Sequence, residues 1–263
     1  MKIDFHTHGK LAKKLPFSGA YTSWLLTEAK TAGLDAICLT EHFNTIGFRE
    51  IYDYLETHYE KEGDCYVTDQ GLKVFPGMET DIAEGGHVLS IGPSEQILEL
   101  NQRLEPYKEK GSFLPFETLS RYFNSYDLLV GAGHPYREGG HIPELPDYLI
   151  RKFDFFDLNG KDIAEDKDGT KEKVYGLAGK FGRKVAAGSD THQSFQYGCI
   201  YNVFEKECVT VEEIREQIEK EAYEIQISQM ASFQVKTAGL LKKSLKEINA
   251  LGGDYVAVLV KGA

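Results

Sequence analysis

The chain has 263 residues, of which 41% are hydrophobic and 27% are charged, a composition typical of a globular protein with room for one large core. The 30 Lys and Arg residues against 41 Asp and Glu residues give a net charge of -11. Such a surface repels a phosphate backbone, so an extended nucleic-acid interface is not expected, although a metal-lined cleft can reverse the field locally for a small anionic substrate.

Signals for membrane insertion, secretion and metal-binding cysteine pairs are missing from the sequence. No apolar run approaches the ~18 residues that span a bilayer, and no signal-like segment precedes His6, so we expect a cytoplasmic, reducing location. The four cysteines, Cys38, Cys65, Cys199 and Cys208, lack C-x-x-C spacing and are expected to be small buried or free thiols.

Predicted strands and helices alternate along the chain. Strands are expected at residues 2–5, 34–40, 73–78, 87–91, 128–132, 153–158 and 184–187, and a last one at 255–260. Helices are expected at residues 20–32, 47–61, 94–104, 115–124, 143–152, 169–181, 210–222 and 235–250. No linker divides this pattern, so we predict an α/β fold with one domain over residues 1–263, a distorted (β/α)7 TIM-like barrel.

Histidines and carboxylates stand at the ends of these strands, where barrel enzymes place their chemistry. His6 and His8 have the i, i+2 spacing that puts two imidazoles on one side of an extended segment, which is half of a site for a divalent transition metal. Asp190 and His192 repeat this spacing after a Gly-Ser turn. Each residue alone could instead be a hydrogen-bonded core or rim residue.

Four further positions complete the candidate set: His42, Glu79, His87 and His134. Met78 has the character of a core residue, so Glu79 is expected on the opposite face, although a solvated rim carboxylate is the alternative. His87 precedes its apolar run instead of following it. Its strand therefore runs against the others, or its side chain reaches the site from a loop.

The eight side chains exceed the three or four ligands of one tetrahedral ion, so two or three metal ions are expected. Imidazole suits zinc, iron and manganese, and a carboxylate can bridge two cations. A metal pair can clamp the attacking and leaving oxygens of an in-line displacement.

The ordered set of ligand-type residues resembles the PHP (polymerase and histidinol phosphatase) family. The resemblance is clearest over residues 1–222 and rests on His6-x-His8, Glu41-His42, Glu79, His87, His134-Pro135 and Asp190-x-His192. It implies a distorted seven-stranded barrel, two or three divalent metals and phosphoester hydrolysis. It further implies that Glu79 bridges a first metal, on His6, His8 and Asp190, and a second, on His87 and His134, whereas His42 and His192 belong to a third.

Two departures from the family pattern concern the third metal. Family members often carry another His shortly after the first pair, but residues 10–19 contain Lys10, Lys13 and Lys14 and no His. The third site is then absent, weak, or completed by substrate or water. Glu41 also stands where Asp is commoner.

The catalytic hypothesis is the attack of a metal-activated hydroxide on a phosphate monoester, with Asp190, His192 and Arg137 as catalytic residues. Arg137 is the preferred phosphate clamp, because a guanidinium matches two oxygens, and a surface salt bridge is its alternative. His192 would protonate the leaving oxygen if it is free of metal. The three lysines fit a solvated face better than a phosphate site.

Two other functions remain open from the sequence: a metal-dependent amidohydrolase and a non-catalytic PHP module. The substrate is expected to be a small phosphorylated molecule, with histidinol phosphate, nucleotides and short oligonucleotides all possible. The identity of the metal, the oligomeric state and the role of residues 223–263 do not follow from the sequence.

Overall fold

The computed structural model describes residues 1–260, which form eleven strands and ten α-helices. The strands are β1 Lys2–Thr7, β2 Ala36–His42, β3 Glu60–Glu62, β4 Cys65–Val67, β5 Lys73–Asp81, β6 His87–Ile91, β7 Leu129–Gly133, β8 Phe155–Asn159, β9 Lys184–Gly188, β10 Ile200–Phe204 and β11 Tyr223–Ile227. The helices are α1 Gly19–Thr31, α2 Phe48–His58, α3 Ser94–Arg103, α4 Phe116–Phe123, α5 Asp147–Ile150, α6 Gly160–Glu165, α7 Lys167–Phe181, α8 Val211–Glu219, α9 Ala231–Ala250 and α10 Tyr255–Val260.

The predicted TIM-like barrel is confirmed. Strands β1, β2, β5, β6, β7, β8 and β9 lie side by side in that order and curve into a nearly closed sheet. The last gap, between β9 and β1, is bridged at the end of β1 and just beyond β9, where Asp190 N–H donates to His6 O and His8 N–H donates to Thr191 O. The barrel's upper rim, where the parallel strands end, therefore joins residues near positions 6 and 190.

One strand of the barrel runs against the rest. β6 pairs antiparallel with both β5 and β7, whereas the other neighbouring barrel strands pair in parallel. The first residue of β6, His87, consequently lies at the same rim as the last residues of the other strands. This confirms one of the two arrangements predicted for His87.

The barrel interior and its outer surface form two separate hydrophobic cores. Phe5, Phe75, Leu89 and Phe155 belong to the inner core, in which the rings of Phe5 and Phe155 meet edge-on at 5.4 Å. The outer core lies between the strands and the surrounding helices and includes Met78. Met78 and the adjacent Glu79 thus face opposite sides, as the alternation of strand residues requires.

The irregular and C-terminal parts differ from the sequence-based prediction. Residues 255–260 form helix α10 and not a strand, residues 60–62 leave the predicted helix to form β3, and β4, β10, β11 and α6 were not predicted. α9 packs on α6 and on the turn at residues 194–196, and α10 packs on α1. Residues 261–263 of the predicted domain lie outside the described residues.

A capping box begins α8, with Thr210 and Glu213 each accepting a backbone N–H. Within residues 1–260, no helix has both the length and the apolar character needed to cross a membrane.

Candidate metal centre

His6 and His8 both point into the barrel's upper end because β1 is irregular there. The pairing of β1 with β2 shifts register between Asp4 and Thr7. This shift changes the alternation, so that Phe5 packs in the inner core while the next residue, His6, also faces inward. Both imidazoles are fully buried.

Glu79 lies at the centre of the cluster. Its carboxylate oxygens contact five imidazoles: His6 at 3.4 Å, His8 at 3.5 Å, His42 at 2.7 Å, His87 at 2.5 Å and His134 at 3.2 Å. A carboxylate with imidazoles on both oxygens has the arrangement that a bridging ligand between two cations needs.

His134 and Asp190 both have left-handed backbone conformations, with φ of 30° and 58°. Such conformations are uncommon outside glycine and cost about 1–3 kcal/mol, and they persist where the surrounding structure demands them. His134 directly follows β7, Asp190 lies two residues after β9, and both side chains belong to the cluster. Among the described residues, Glu221 is the third non-glycine residue with a left-handed backbone, so two of the three stand where the site gains a candidate ligand.

The structure brings all eight predicted side chains together and arranges their ligand atoms in three groups. Within a group, the atoms lie within 4.8 Å of one another. The groups are His6, His8 and Asp190; Glu79, His87 and His134; and His8, His42 and His192. The first two contain residues of the two sites that the family resemblance implied, although Glu79 is grouped only with the second. The third places His8 beside His42 and His192. The assignment of these residues to metals stays a prediction.

The polar atoms of this cluster fit cations better than they fit each other. Five buried atoms, His6 Nε2, both ring nitrogens of His8, His42 Nδ1 and Glu79 Oε2, have no hydrogen-bond partner among the described residues. Leaving buried polar groups unpaired costs about 1–3 kcal/mol each. The short contact between His42 and Glu79 lacks hydrogen-bond geometry, which suits two ligands facing a shared ion. The residues present therefore fit one or more divalent metal ions.

Charges within the cluster favour anionic carboxylates. Burial acts to raise the pKa of Glu79, but the imidazoles of His87, His42 and His6 hold it well below its usual value. Burial likewise opposes ionisation of Asp190, and Lys161 and His6 lower its pKa well below the ordinary range. Both side chains are thus ready to act as anionic ligands.

Burial lowers the pKa of His42 and of His134 to about 4. Burial and the charge of His8 lower the pKa of His192 well below its usual value. These three imidazoles are neutral at pH 7, the form that binds metals. A neutral His192 is suited to be a ligand or a base, and its predicted role as proton donor stays a prediction.

Carboxylates behind the cluster orient its imidazoles. Asp157 Oδ2 accepts from His6 Nδ1 at 2.9 Å and from the His134 backbone N–H at 3.1 Å. Asp81 Oδ1 lies 3.1 Å from His87 Nε2. Each contact occupies one ring nitrogen and turns the other toward Glu79. Neither aspartate was predicted as a site residue, although Asp157 follows an apolar run as the ligands do.

Arg137 and Lys161 border the cluster beside Asp190. Arg137 Nη1 and Lys161 Nζ lie 2.7 Å and 2.8 Å from Asp190 Oδ2, on the side away from the histidines. Arg137 also donates to Asp162 at 2.9 Å and to Asn159 at 2.6 Å. Its guanidinium is thus a half-buried, fixed group at the site and not a surface salt bridge.

The lysines that follow the first histidine pair have three different environments. Lys10 is 3% exposed and donates to Thr45 Oγ1 and Ile46 O, so its expected place on a solvated face is wrong. Lys13 pairs with Asp81 at 3.2 Å, and Lys14 is exposed.

The C-terminal helix α9 adds a cation that the sequence analysis did not identify. Lys242 lies near enough to Lys161, Asp190 and Glu41 for their charges to act on it, and burial lowers its pKa to about 8. Of the two histidines left outside the candidate set, His58 is exposed on α2, and His141 pairs with Glu144.

No protein-family model matches the sequence, and a search of curated proteins found no match. Among solved structures the chain is similar to PsfC from Pseudomonas syringae, with 21% identity and a TM-score of 0.76 over 93% of this chain and 98% of that chain. It is also similar to a lesion-specific endonuclease from Pyrococcus furiosus, with 21% identity and a TM-score of 0.65 over 85% of this chain and 57% of that one.

A structure of endonuclease Q with a 27-mer duplex bearing an abasic lesion at the active site matches with 21% identity and a TM-score of 0.64, over 83% and 56% of the two chains. These similarities establish the fold, which fits the barrel that the PHP resemblance implied. Membership of the PHP family stays a prediction.

Proposed function

We propose that this protein is a metal-dependent phosphoesterase that acts on a small phosphorylated molecule. The observation that supports this most directly is the convergence of eight histidine and carboxylate side chains, several with unpaired buried atoms, beside two fixed cations. Cations that face a metal cluster suit a substrate with anionic oxygens.

The three groups of ligand atoms support a division of the proposed metal ions among the residues. His6, His8 and Asp190 would hold one ion, Glu79, His87 and His134 a second, and His8, His42 and His192 are placed for a third. Zinc, iron and manganese all suit these ligands. When bound, such ions supply Lewis acidity and activate water at neutral pH.

The chain's own residues position the phosphate. Arg137 uses three of its nitrogens on Asp162, Asn159 and Asp190, which fixes the guanidinium plane. Its remaining N–H groups, together with Lys161, can donate to phosphoryl oxygens. Asp190 thus connects the proposed metal ligands with the residues that position the phosphate. One of its oxygens faces His8 at 3.3 Å, and the other faces the cations.

A small substrate fits the molecule better than duplex DNA. The endonuclease with a bound duplex is matched over only 56% of its chain. This chain carries a net charge of -11, which opposes the phosphate contacts that a duplex requires.

The test combines metal analysis with an activity screen. Protein purified without chelator is expected to contain divalent metal and to hydrolyse phosphomonoesters in a screen with added zinc, manganese or iron. Glu79→Gln removes the central carboxylate charge and is expected to lower kcat/KM by about 100-fold or more, with loss of bound metal. His58→Gln, on the exposed face of α2, is the matched control and should change neither kcat/KM nor the amount of bound metal.

Full activity of Glu79→Gln would contradict the proposal. Turnover of amides or lactones without any phosphoester would favour the amidohydrolase, and full metal occupancy without hydrolysis would favour a non-catalytic module.

The role of Arg137 has its own test. Arg137→Ala is expected to lower kcat/KM by about 10-fold or more, since it removes both a phosphate donor and a partner of Asp190. Arg121→Ala, which breaks an exposed pair with Glu117 on α4, should leave kcat/KM unchanged. An unaffected Arg137→Ala enzyme would remove Arg137 from the mechanism.

A further inference from the structure

A cavity of about 500 Å³ borders His87, a candidate metal ligand. Asp81, Phe113, Lys110, Gly111 and Gly139 also line it. The volume lies within the ~300–1,000 Å³ of typical small-molecule sites. Because a candidate metal ligand is itself part of the wall, a molecule bound in this cavity would contact that ligand.

The walls of this His87 cavity are held in place without a ligand. They come from three loops, at residues 82–86, 110–114 and 139–141. Ala83 N–H donates to Leu114 O at 2.9 Å, and His141 N–H donates to Gly85 O at 3.0 Å. A Cβ at Gly85 would meet Gly139 O at 2.8 Å, so glycine permits this close packing.

An aromatic ring forms part of the wall. Phe113 meets Phe43 edge-on, with ring centroids 5.8 Å apart. Phe43 is buried and directly follows His42, so the position of Phe113 is tied to the strand that carries a candidate ligand. The cavity is therefore preformed, which reduces the entropy lost on binding.

The His87 cavity has little charge available to a ligand. Asp81 already contacts His87 at 3.1 Å and Lys13 at 3.2 Å. Lys110 is the only other charged side chain among the described lining residues, apart from His87, and it is exposed. Backbone, aliphatic and aromatic atoms provide most of the remaining wall.

A separate cavity of about 510 Å³ is lined by Arg137, Lys161 and Lys173 and by the carboxylates of Glu138, Asp162, Glu165 and Asp166. Arg137 and Lys161 also contact Asp190 at the candidate metal centre. A phosphoester at the centre would place its anionic oxygens beside these two cations. The His87 cavity, which has little free charge, is then available to its uncharged portion.

We propose that the His87 cavity is the leaving-group site and that it takes a neutral, flat ring system attached to the alcohol of a phosphomonoester. The inference rests on the proposed phosphoesterase function and narrows its substrate class. Burial of a ring against Phe113 and the glycine walls provides the selectivity.

The first experiment compares benzyl phosphate with ethyl phosphate, using the metal-loaded full chain. The two leaving alkoxides have similar basicity, so intrinsic reactivity contributes little to the ratio of rates. We expect kcat/KM to be at least about 10-fold higher for benzyl phosphate, because ring burial adds apolar contact area. Equal values of kcat/KM would overturn the inference.

A variant pair then locates the selectivity. A Cβ at Gly139 meets no described atom within 4 Å, and its φ of 80° is one that Asn tolerates better than most residues. Gly139→Asn should fill the cavity and lower kcat/KM for benzyl phosphate by about 10-fold, with ethyl phosphate within about twofold. Gly71→Asn has equally open space and a φ of 77°, and it precedes β5 at the far end of the barrel, so both rates should be unchanged.

A substitution of Phe113 tests the same cavity independently, in case Gly139→Asn does not fold. Phe113→Ala should lower kcat/KM for benzyl phosphate while sparing ethyl phosphate, and Phe113→Tyr should retain the preference. Loss of both activities to the same extent, with unchanged metal content, would overturn the assignment of the cavity.

A binding measurement separates this inference from the proposed function. Calorimetry should show tighter binding of benzylphosphonate than of ethylphosphonate, and Gly139→Asn should reduce the difference. If no ester is hydrolysed with any metal, the phosphoesterase proposal fails, whereas a retained phosphonate preference still supports the cavity. Equal phosphonate affinities would overturn it.

Discussion

Asp157 joins several parts of the candidate site. Its Oδ2 accepts from the ring of His6, the backbone of His134 and the side chain of Asn159. It therefore fixes the ring orientation of one predicted ligand and the strained backbone of another. Asn159 in turn holds Arg137, which connects the metal ligands to the phosphate-positioning residues.

Asp157→Asn should weaken the site without a large effect on the fold. The amide keeps the shape of the carboxylate but accepts more weakly from His6, so we expect metal affinity to fall about 10–100-fold. Metal titration against a competing chelator measures this. Asp53→Asn, which alters an exposed pair with Arg49, is the control and should keep the wild-type affinity. Equal affinities for both variants would show that Asp157 does not orient His6.

Metal binding should depend on pH through His87. Burial acts to lower the pKa of this imidazole, but Glu79 and the hydrogen bond with Asp81 raise it to about 9 in the metal-free protein. Below that pH a metal must displace a proton, so metal affinity should increase as the pH rises toward 9. Calorimetry near pH ~7.5 in buffers of different ionisation enthalpy counts the released protons. Metal binding to His87→Gln should release about one proton fewer than binding to the wild type. An unchanged proton count would contradict the assignment of this proton to His87.

The candidate ligands could be identified from the sequence because each lies at or shortly beyond an end of an apolar run. The orienting residues could not, since their role depends on which strands become neighbours. Asp81 and Asp157 have no local pattern that links them to His87 and His6. Lys10 was misassigned because the loop at residues 45–46, which buries its ammonium, is distant in sequence.

Among the strands, β9 contributes to the site through Gly188, which has no side chain. Gly188 faces into the barrel, and a Cβ there would lie 2.3 Å from His6 Cβ and 2.8 Å from Asp157 Oδ1. β9 can therefore approach β1 only because this position has no side chain.

Gly188→Ala should destabilise the protein and disturb the site together. Overpacking against His6 is expected to cost about 1–3 kcal/mol and to lower metal content. Gly176→Ala lies on the exposed face of α7, where a Cβ meets no described atom within 4 Å, and should stabilise by about 0.5–1 kcal/mol. Urea unfolding of the metal-free proteins measures both. Similar effects of the two substitutions would show that Gly188 is not tightly packed.

Elements with strong local signals were predicted and those fixed by packing were not. α8 has its capping box in the sequence, and the barrel strands stand out as apolar runs. β10, β11 and the hairpin of β3 and β4 are short, and their strand pairing depends on distant partners. The apolar run at residues 255–260 does not distinguish a strand from a helix, and contact with α1 accompanies the helix.

At the scale of the whole molecule, a side chain helps to close the barrel. Asn202 on β10 accepts from Ala187 N–H at 2.8 Å and donates to Ala187 O at 2.9 Å and Ile3 O at 3.0 Å. It thus supplies hydrogen bonds between β9 and β1, at the one seam where these strands do not pair along their length. No sequence pattern distinguishes Asn202 from a surface asparagine.

Asn202→Ala should lower the free energy of unfolding by at least about 2 kcal/mol, because three buried backbone groups lose their partner. Asn124→Ala, at the exposed end of α4, should change it by no more than about 0.5 kcal/mol. Urea denaturation with unchanged slope measures the difference. An unchanged free energy of unfolding in Asn202→Ala would mean that the backbone groups of Ala187 and Ile3 find other hydrogen-bond partners.

The antiparallel course of β6 has a consequence for how the centre is built during folding. Glu79 and His87 lie on β5 and β6, which pair as a hairpin across residues 82–86, so local pairing brings these two side chains together early. His134 follows β7, which pairs with β6 only after the intervening segment that contains α3 and α4. His6 and Asp190 meet only when the two ends of the sheet join, after most of the chain has been ordered. Part of the metal centre therefore forms early in folding and part forms late. An ion bound by the early part would stabilise the compact state before the late part has formed.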